Sequence, residues 1–409
     1  MQSLRYKAGG RAFAHIAQYH PELTALRRDL HAHPELGFEE IYTSTRVKEA
    51  LKLCGVDEIH DGIGRTGVVG VIRGRSTSSG SMVGLRADMD ALPLAEHNDF
   101  SWKSCKPGLM HGCGHDGHTA MLVGAARYLA ETRNFDGTAV LVFQPGEEGH
   151  GGADIMIEEG FLEASGTKPI AAFGIHVFSN YPRGQFGSRV GALMAAAGGM
   201  TVTFTGQGGH GSMPWLSRDP ISPMTEAITA LQTMVAKRHT AFEPLVINVG
   251  WIKAGDPHTN NVIPESASFG ATIRTFSEAA TKAVHANIVE LLNGIASAHS
   301  LKVEVEFEPA TKVLVNDKSS IERVERVIKE LFGEGRYWDM PHPIAGGEDF
   351  ASVLAEVPGA FIFLGACPPE INYETAEVNH SNKARYDDAI LPEAAALLAA
   401  LAFDTLNSR

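Results

Sequence analysis

The order of hydrophobic and polar positions divides the chain into alternating helix-like and strand-like segments. Helices are predicted at 43–55, 119–133, 153–162 and 391–406, and strands at 67–74, 82–89, 138–145, 170–177 and 361–366. Alternation of this kind is typical of an α/β fold built on a mixed, mostly parallel sheet.

Residues 190–310 follow a different order. A strand, a helix, two strands, a long helix and a final strand succeed one another there. This β-α-β-β-α-β pattern predicts a ferredoxin-like α+β module. A chain of 409 residues is long enough for two hydrophobic cores. We therefore predict a larger α/β domain formed by 1–189 and 311–409, with 190–310 inserted into it as a second domain.

Composition and charge narrow the classes of function. The hydrophobic content of 44% and charged content of 20% are those of an ordinary globular protein. The net charge of −13, without a concentrated basic segment, argues against nucleic acid as a partner. The longest uncharged stretch, 190–217, is broken by glycines and polar residues, so no membrane partner is expected.

Two further features predict a cytoplasmic protein. The N-terminal residues contain no apolar signal-peptide core. The four cysteines show no spacing that indicates a disulfide framework, so reduced thiols are expected.

The stretch MHGCGHDGHTAM, residues 110–121, holds the densest group of reactive side chains. His111, Cys113, His115, Asp116 and His118 lie within eight positions and are separated by three glycines. If the chain is extended at Cys113 and His115, their side chains share one face. Thiolate and imidazole are suitable ligands for zinc and related divalent ions. The stretch therefore predicts a metal site.

Pairs of acidic residues follow two of the predicted strands. Asp88 and Asp90 end one strand, and Glu147 and Glu148 follow another. The first pair could bind metal, orient a ligand histidine or simply form a turn. The second pair lies where ligands bind in α/β sheets, so one carboxylate could hold metal while the other moves a proton. An ordinary acidic loop is the alternative.

The remaining candidates are single residues. His176 ends the strand at 170–177, and His380 lies in a polar segment before the last helix; either could be an ordinary histidine. In the middle domain, His210 lies on a glycine loop, Asn261 precedes a predicted strand and Arg274 lies within that strand. Arginine is suited to binding a carboxylate with two hydrogen bonds, although a surface role would explain it as well.

Several stretches in order carry a resemblance that covers nearly the whole chain. They are LRRDLHAHPELGFEE, GLRADMDALPL, MHGCGHDGHTAMLVGAA, FQPGEEGHGGADIMIEEG, GGHGSMP, NVIPESASFGATIRTF, GGEDFA and NHSNKARYDD. Together they resemble the aminoacylase and carboxypeptidase family of dinuclear metallohydrolases. Within it, the similarity is to hippurate hydrolase, N-acyl-L-amino-acid amidohydrolase and the hydrolases of indole-acetyl amino acid conjugates.

The resemblance implies a metal centre with two divalent ions in the larger domain. The implied ligands are Cys113, His115, Glu148, His176 and His380. A soft thiolate ligand favours zinc, with manganese, cobalt or nickel as alternatives. Asp88 stands where the wider family has histidine, so Asp88 and Asp90 are expected to orient ligands instead of binding metal themselves.

The resemblance also implies roles for residues around the ions. Glu147 matches the general base. His210 matches a lid histidine that stabilises the oxyanion and, in related dimers, reaches the neighbouring subunit's site. Asn261 and Arg274 match lid residues that hold the substrate's carboxylate. The domain at 190–310 would then be a lid and dimerisation domain.

The function that this resemblance implies is hydrolysis of the amide bond of N-acyl amino acids such as hippurate. The products are a carboxylic acid and a free amino acid, and the protein is expected to form a homodimer or a higher homo-oligomer. A metallo-dipeptidase or carboxypeptidase of the same family is one alternative, and a non-catalytic metal-binding homologue is another. Asn382 and Lys383 depart from the family's usual residues after His380 and could reshape the pocket there.

Overall fold

The computed structural model describes residues 12–164 and 166–407, which divide into two compact units. Unit 1 contains the described residues up to Leu193, Val315–His342 and those from Ser352 onwards. Unit 2 contains Met194–Leu314 and Pro343–Ala351. The sequence pattern predicted that residues 343–351 belong to the larger domain, whereas the structure groups them with unit 2.

Sixteen strands and nine helices are named here within the described residues, in addition to a helical stretch at 12–16. The strands are β1 (Glu58–Ile63), β2 (Gly67–Arg73), β3 (Met82–Asp88), β4 (Thr138–Gln144), β5 (Ala171–Phe178), β6 (Phe186–Ser188), β7 (Gly191–Met194), β8 (Ala196–Thr205), β9 (Gly209–His210), β10 (Leu245–Ala254), β11 (Val262–Ile263), β12 (Ser266–Thr275), β13 (Lys302–Phe307), β14 (Leu314–Asn316), β15 (Tyr337–Asp339) and β16 (Gly359–Gly365). The helices are α1 (His20–Ala32), α2 (Ile41–Cys54), α3 (His115–Thr132), α4 (Gly152–Glu158), α5 (Ile221–Arg238), α6 (Glu278–Ala298), α7 (Lys318–Phe332), α8 (Phe350–Glu356) and α9 (Leu391–Asn407).

Unit 1 is built on an eight-stranded sheet with the order β1-β2-β4-β3-β5-β16-β6-β15. The four neighbouring strands β4, β3, β5 and β16 are parallel, while β1, β2 and β6 join through antiparallel pairs. The predicted mixed, mostly parallel sheet is therefore confirmed. Because the carboxyl ends of parallel strands meet at one edge, the residues that follow β3, β4 and β5 come together there.

The core of unit 1 lies around the parallel strands. Strands β3 and β16 are buried along their whole length, which explains their continuous apolar sequences. Helix α9 packs against α3 and β3. The helical segment Asp388–Asn407 is long and apolar enough to cross a membrane, but 72% of an apolar stretch of 18 residues within it is buried inside the protein, as in the core helix of a globular domain.

Unit 2 contains an antiparallel four-stranded sheet with the order β10-β12-β8-β13. Helices α5 and α6 pack against each other and against the sheet. Burial alternates along β13, because its side chains point in turn toward the core and away from it. The order of the long elements is β8-α5-β10-β12-α6-β13, which is the predicted β-α-β-β-α-β order.

Candidate metal centre and substrate-binding residues

The glycine-rich turn leads directly into helix α3, which begins at His115, four residues before the predicted start. Gly114 has a φ of +91°, and a Cβ atom there would lie 2.4 Å from a methyl group of Val177. Only glycine fits this position without strain. Gly112 and Gly117 do not have left-handed backbones, so a single glycine turns the chain toward the helix.

Five side chains of unit 1 converge beside this turn. Cys113 Sγ lies 3.4 Å from His176 Nε2 and 3.2 Å from His380 Nε2. Glu148 Oε1 lies 3.3 Å from His380 Nε2 and 4.0 Å from His115 Nε2. These residues form two groups of three, Cys113 with His115 and His176, and Cys113 with Glu148 and His380; within each group the ligand atoms lie within 4.8 Å of one another. Cys113 belongs to both groups.

The histidine rings are oriented so that their free nitrogens face the cluster. His115 Nδ1 donates to the carbonyl oxygen of Asp90 at 2.9 Å, and His176 Nδ1 donates to the carbonyl oxygen of Val177 at 2.9 Å. Each ring then presents Nε2 to the cluster as the nitrogen available to a metal ion. His115 Nε2 is buried and has no hydrogen-bond partner among the described residues. A buried ring nitrogen without a hydrogen-bond partner is costly, so this ligand set fits bound divalent ions.

Asp88 and His118 form a third buried group with His115, but their hydrogen bonds argue against a ligand role. His118 Nδ1 donates to Asp88 at 2.5 Å, and His118 Nε2 accepts the N–H of Val177 at 2.9 Å. Both ring nitrogens are therefore occupied. Arg86 also donates to Asp88 at 2.8 Å and supplies a positive charge where a metal ion would otherwise be needed.

Asp90 contacts both halves of the cluster. One carboxylate oxygen lies 3.2 Å from His115 Nδ1, and the other accepts the backbone N–H of Glu148 at 2.9 Å. Asp90 thus connects the end of β3 to the first turn of α3 and to the loop after β4.

The electrostatics of the cluster favour a cation. Burial holds the pKa of His176 well below its usual range, which keeps the ring neutral. Hydrogen bonds to Cys113 and Glu148 raise the pKa of His380 to about 10. Positive charge is therefore stabilised between Cys113, Glu148 and His380.

Asn379 is a residue of this region that the sequence analysis missed. Its side-chain amide donates to the carbonyl oxygens of Val177 at 2.9 Å and Cys113 at 3.3 Å. The next residue, His380, has a left-handed φ of 69°, and its backbone N–H donates to Gly112 at 2.9 Å. An asparagine beside a candidate histidine was visible in the sequence, but its partners lie some 200 residues or more away along the chain.

The candidate residues of unit 2 occupy two separate places. His210 in β9 pairs with Val262 in β11, and the carbonyl oxygen of Asn261 accepts the N–H of Gly211 at 2.8 Å. His210 and Asn261 are both exposed. The structure therefore places these two residues side by side, beyond the end of the sheet where β12 begins.

Arg274 lies near the opposite end of β12, where it pairs with Ala197 of β8. Its guanidinium group donates to the carbonyl oxygens of Gly198 and Ala345, each at 3.1 Å. Burial lowers the pKa of Arg274, and none of the described acidic side chains forms an ion pair with it. A half-buried guanidinium without a carboxylate partner is suited to an anionic ligand.

Comparison with known proteins establishes the family. Residues 84–404 match peptidase family M20/M25/M40. The chain is 36% identical to hippurate hydrolase of Campylobacter jejuni over 94% of its own length and 97% of that protein. It is 34% identical to IAA-amino acid hydrolase ILR1-like 2 of Arabidopsis thaliana, over 97% and 88% of the two chains.

A solved structure is similar to this chain over nearly its whole length. The YXEP protein of Bacillus subtilis is described as a dinuclear metal binding peptidase from the M20 family. It superposes with a TM-score of 0.81 at 30% identity and covers 96% of this chain and 99% of its own. The predicted fold class and resemblance are thereby confirmed, and the chain belongs to peptidase family M20/M25/M40, a family of amide-bond hydrolases.

Proposed function

We propose that this protein is a metal-dependent amidohydrolase that cleaves N-acyl amino acids into a carboxylic acid and a free amino acid. The observation that carries the proposal is the convergence of five ligand-type side chains beside Glu147 in unit 1. The relatives named hippurate hydrolase and IAA-amino acid hydrolase support this class of substrate.

Cys113, His115, Glu148, His176 and His380 would hold two divalent ions, with Cys113 belonging to both groups of ligands. Zinc is proposed because thiolate and imidazole ligands favour it, with manganese, cobalt or nickel as alternatives. When bound, such ions act as Lewis acids on the amide carbonyl and lower the pKa of water.

Glu147 is proposed as the residue that moves protons. Its carboxylate belongs to one group with His115 and Glu148, whose ligand atoms lie within 4.8 Å of one another. The carboxylate would take a proton from the attacking water and then deliver it to the nitrogen of the leaving amine. Asp90 supports this arrangement, because it fixes both the ring of His115 and the backbone of Glu148.

Unit 2 is proposed to recognise the substrate and to act as a lid. Arg274 would bind the substrate's carboxylate, since its guanidinium group has no acidic partner among the described residues. Asn261 would assist in holding the carboxylate. His210 would stabilise the oxyanion that develops during attack on the amide.

The separation of these residues supports a homodimer. Ser266, at the His210 end of the sheet, and Arg274 are eight positions apart along β12, a distance of about 25 Å for an extended strand. One small substrate cannot contact both ends, so we propose that His210 acts in the site of a second copy. The outer strand β10 carries the exposed side chains of Trp251 and Ile252, and its open edge could pair with another chain.

Mixing two inactive variants tests the shared site. Glu147→Gln and His210→Ala are each expected to be inactive, but their mixture should recover about a quarter of wild-type activity. The reason is that random exchange makes half of the dimers mixed, and each mixed dimer holds one intact site. Mixing Glu147→Gln with the double variant Glu147→Gln/His210→Ala is the control, because no intact site can form. A first mixture as inactive as this control would exclude the shared site.

The proposed reaction is tested by the release of glycine from N-benzoylglycine. The protein is assayed as purified, after chelation, and after zinc or manganese is restored. Activity that is lost and then regained supports the proposal. Faster hydrolysis of Gly-Gly would favour a dipeptidase instead, and a protein with neither activity nor bound metal would overturn the proposed centre.

A cytoplasmic location is proposed as well. The four cysteines, Cys54, Cys105, Cys113 and Cys367, are all free thiols. Free thiols are usual in reducing compartments, whereas disulfides are usual in secreted proteins.

A further inference from the structure

The loop that carries Glu147 is anchored on both sides by buried carboxylates. The backbone N–H of Gly146 donates to Glu40 Oε1 at 2.9 Å, and the backbone N–H of Glu148 donates to Asp90 Oδ2 at 2.9 Å. Glu147 therefore lies between two peptide groups whose positions are fixed from outside the loop. Asp90 was already a candidate in the sequence, but Glu40 was not.

Glu40 is placed in an environment that is costly for a carboxylate. Its side chain is fully buried, and none of the basic side chains in the described part of the chain forms an ion pair with it. Its other hydrogen bond comes from the hydroxyl group of Thr66 at 2.5 Å. Burial raises the pKa of Glu40 to about 7, with the nearby charge of Asp90 adding to the effect. A buried acid without a cation adds little to stability, which points to another role.

The same segment makes a second contact with Gly146. Phe38 has a φ of 67°, a left-handed conformation that an aromatic residue rarely adopts. Its ring lies so close to Gly146 that a Cβ atom there would be 3.0 Å from two ring carbons. The guanidinium group of Arg65 lies 4.4 Å from the centre of the ring. Phe38 and Glu40 thus hold Gly146 by packing and by a hydrogen bond.

We propose that Glu40 is a positioning residue for the base: its carboxylate fixes the peptide group of Gly146 and so sets where the Glu147 side chain begins. This inference rests on the proposed role of Glu147. Small displacements of a reacting group lower its effectiveness greatly, so a contact at the adjacent peptide is sufficient to affect turnover. The geometry assigns Glu40 no contact with substrate or metal.

Variants at position 40 separate positioning from folding. Glu40→Ala removes the acceptor of the Gly146 N–H, whereas Glu40→Gln keeps a side-chain oxygen for it. Glu35→Ala is the matched control, because Glu35 is also a buried carboxylate of this segment. Its oxygens accept the backbone N–H groups of Tyr42 at 3.1 Å and Thr43 at 3.0 Å, at the start of α2, and not a group in the base loop.

The expected result is a loss of kcat that follows the hydrogen bond. In protein with two bound ions, Glu40→Ala should lower kcat for N-benzoylglycine by about 10- to 100-fold with little change in KM or metal content. Glu40→Gln should recover most of kcat, and Glu35→Ala should lose stability without losing kcat. A folded Glu40→Ala variant with wild-type kcat would overturn the inference.

Hydrogen exchange at the Gly146 amide gives a readout that does not require activity. Exchange should be faster in Glu40→Ala than in wild type, Glu40→Gln or Glu35→Ala. If Glu40→Ala does not fold, Thr66→Val is used instead, because it removes the other hydrogen bond to the Glu40 carboxylate. This variant should raise hydrogen exchange at Gly146 and lower kcat, with smaller effects than those expected for Glu40→Ala. Unchanged exchange and kcat in Thr66→Val would then reject the inference. An inactive wild-type protein whose Gly146 amide is protected from hydrogen exchange would contradict the proposed function, but not the anchoring of Gly146 by Glu40.

Discussion

The candidate chemical centre in unit 1 and the candidate recognition residues in unit 2 are built in different ways. In unit 1, His115 and His176 are buried, and the nitrogen of each ring that faces away from the cluster donates to a backbone oxygen. In unit 2, His210 is exposed and its ring nitrogen accepts from Ser212, only two residues away. Arg274 is held by backbone carbonyl groups of its own unit.

This difference indicates a division of tasks. Buried rings with fixed partners keep ligand atoms in place before any ion or substrate arrives, which reduces the cost of reorganisation. His210, which is exposed and held only by a residue two positions away, can adjust to a substrate or to a second chain, whereas the contacts of Arg274 keep its guanidinium group in place for an anion. Substitutions in unit 1 should therefore affect kcat or metal content, whereas substitutions at Arg274 should affect substrate binding.

The largest expected effect is that of Glu147→Gln. The amide cannot accept a proton, so kcat for N-benzoylglycine should fall by about 10²- to 10⁴-fold, the usual contribution of general acid–base catalysis. Metal content, measured by elemental analysis, should stay at the wild-type value. Glu158→Gln, an exposed carboxylate in α4, is the control and should retain full activity. A Glu147→Gln variant with kcat within tenfold of wild type would exclude this residue as the base.

A smaller effect is expected for Arg274→Met, and it should appear in KM. Loss of a charge-assisted hydrogen bond to the substrate's carboxylate should raise KM for N-benzoylglycine by about 10- to 100-fold. The neutral analogue N-benzoylglycinamide lacks that carboxylate, so wild type and variant should hydrolyse it with similar KM. An equal rise in KM for both substrates would show that Arg274 supports the structure of unit 2 instead of recognising an anion.

Sequence reasoning predicted those features of the site that depend on chain order. Asp88, Glu147 and His176 each end or follow a predicted strand, and the parallel arrangement of these strands brings their carboxyl ends to one edge of the sheet. The start of α3 was placed too late because its first turn carries the polar residues His115, Asp116 and His118. They are nevertheless buried, since their side chains hydrogen-bond to other protein residues, namely Asp90, His31 and Asp88 in that order, instead of to water.

Contacts between distant segments could not be predicted in this way. Glu40 and Gly146 are 106 positions apart, and nothing in a local pattern connects a glutamate before a helix to a loop after β4. Strands β6 and β15 have only three residues each, too few for a period to show. Residues 343–351 contain no long element, so hydrophobic spacing could not indicate that they belong with unit 2.

The smallest expected effect is a change in stability at Glu40. It tests whether this buried carboxylate serves to position the base loop or to stabilise the fold. The pKa of Glu40 rises from 4.5 to about 7 on folding, because burial disfavours the charged form. Between these two values the folded chain binds a proton that the unfolded chain has released, so the contribution of Glu40 to stability falls as pH rises and is lost above pH 7.

Glu40→Gln has no such proton. The variant should therefore gain stability relative to wild type between pH 5 and pH 8, by up to about 3 kcal/mol, since a tenfold change in proton affinity is worth about 1.4 kcal/mol. Thermal unfolding of both metal-free proteins measures this as a difference in Tm that widens by several degrees. A difference in Tm that stays constant across this range would show that Glu40 ionises in the folded protein as readily as in the unfolded chain.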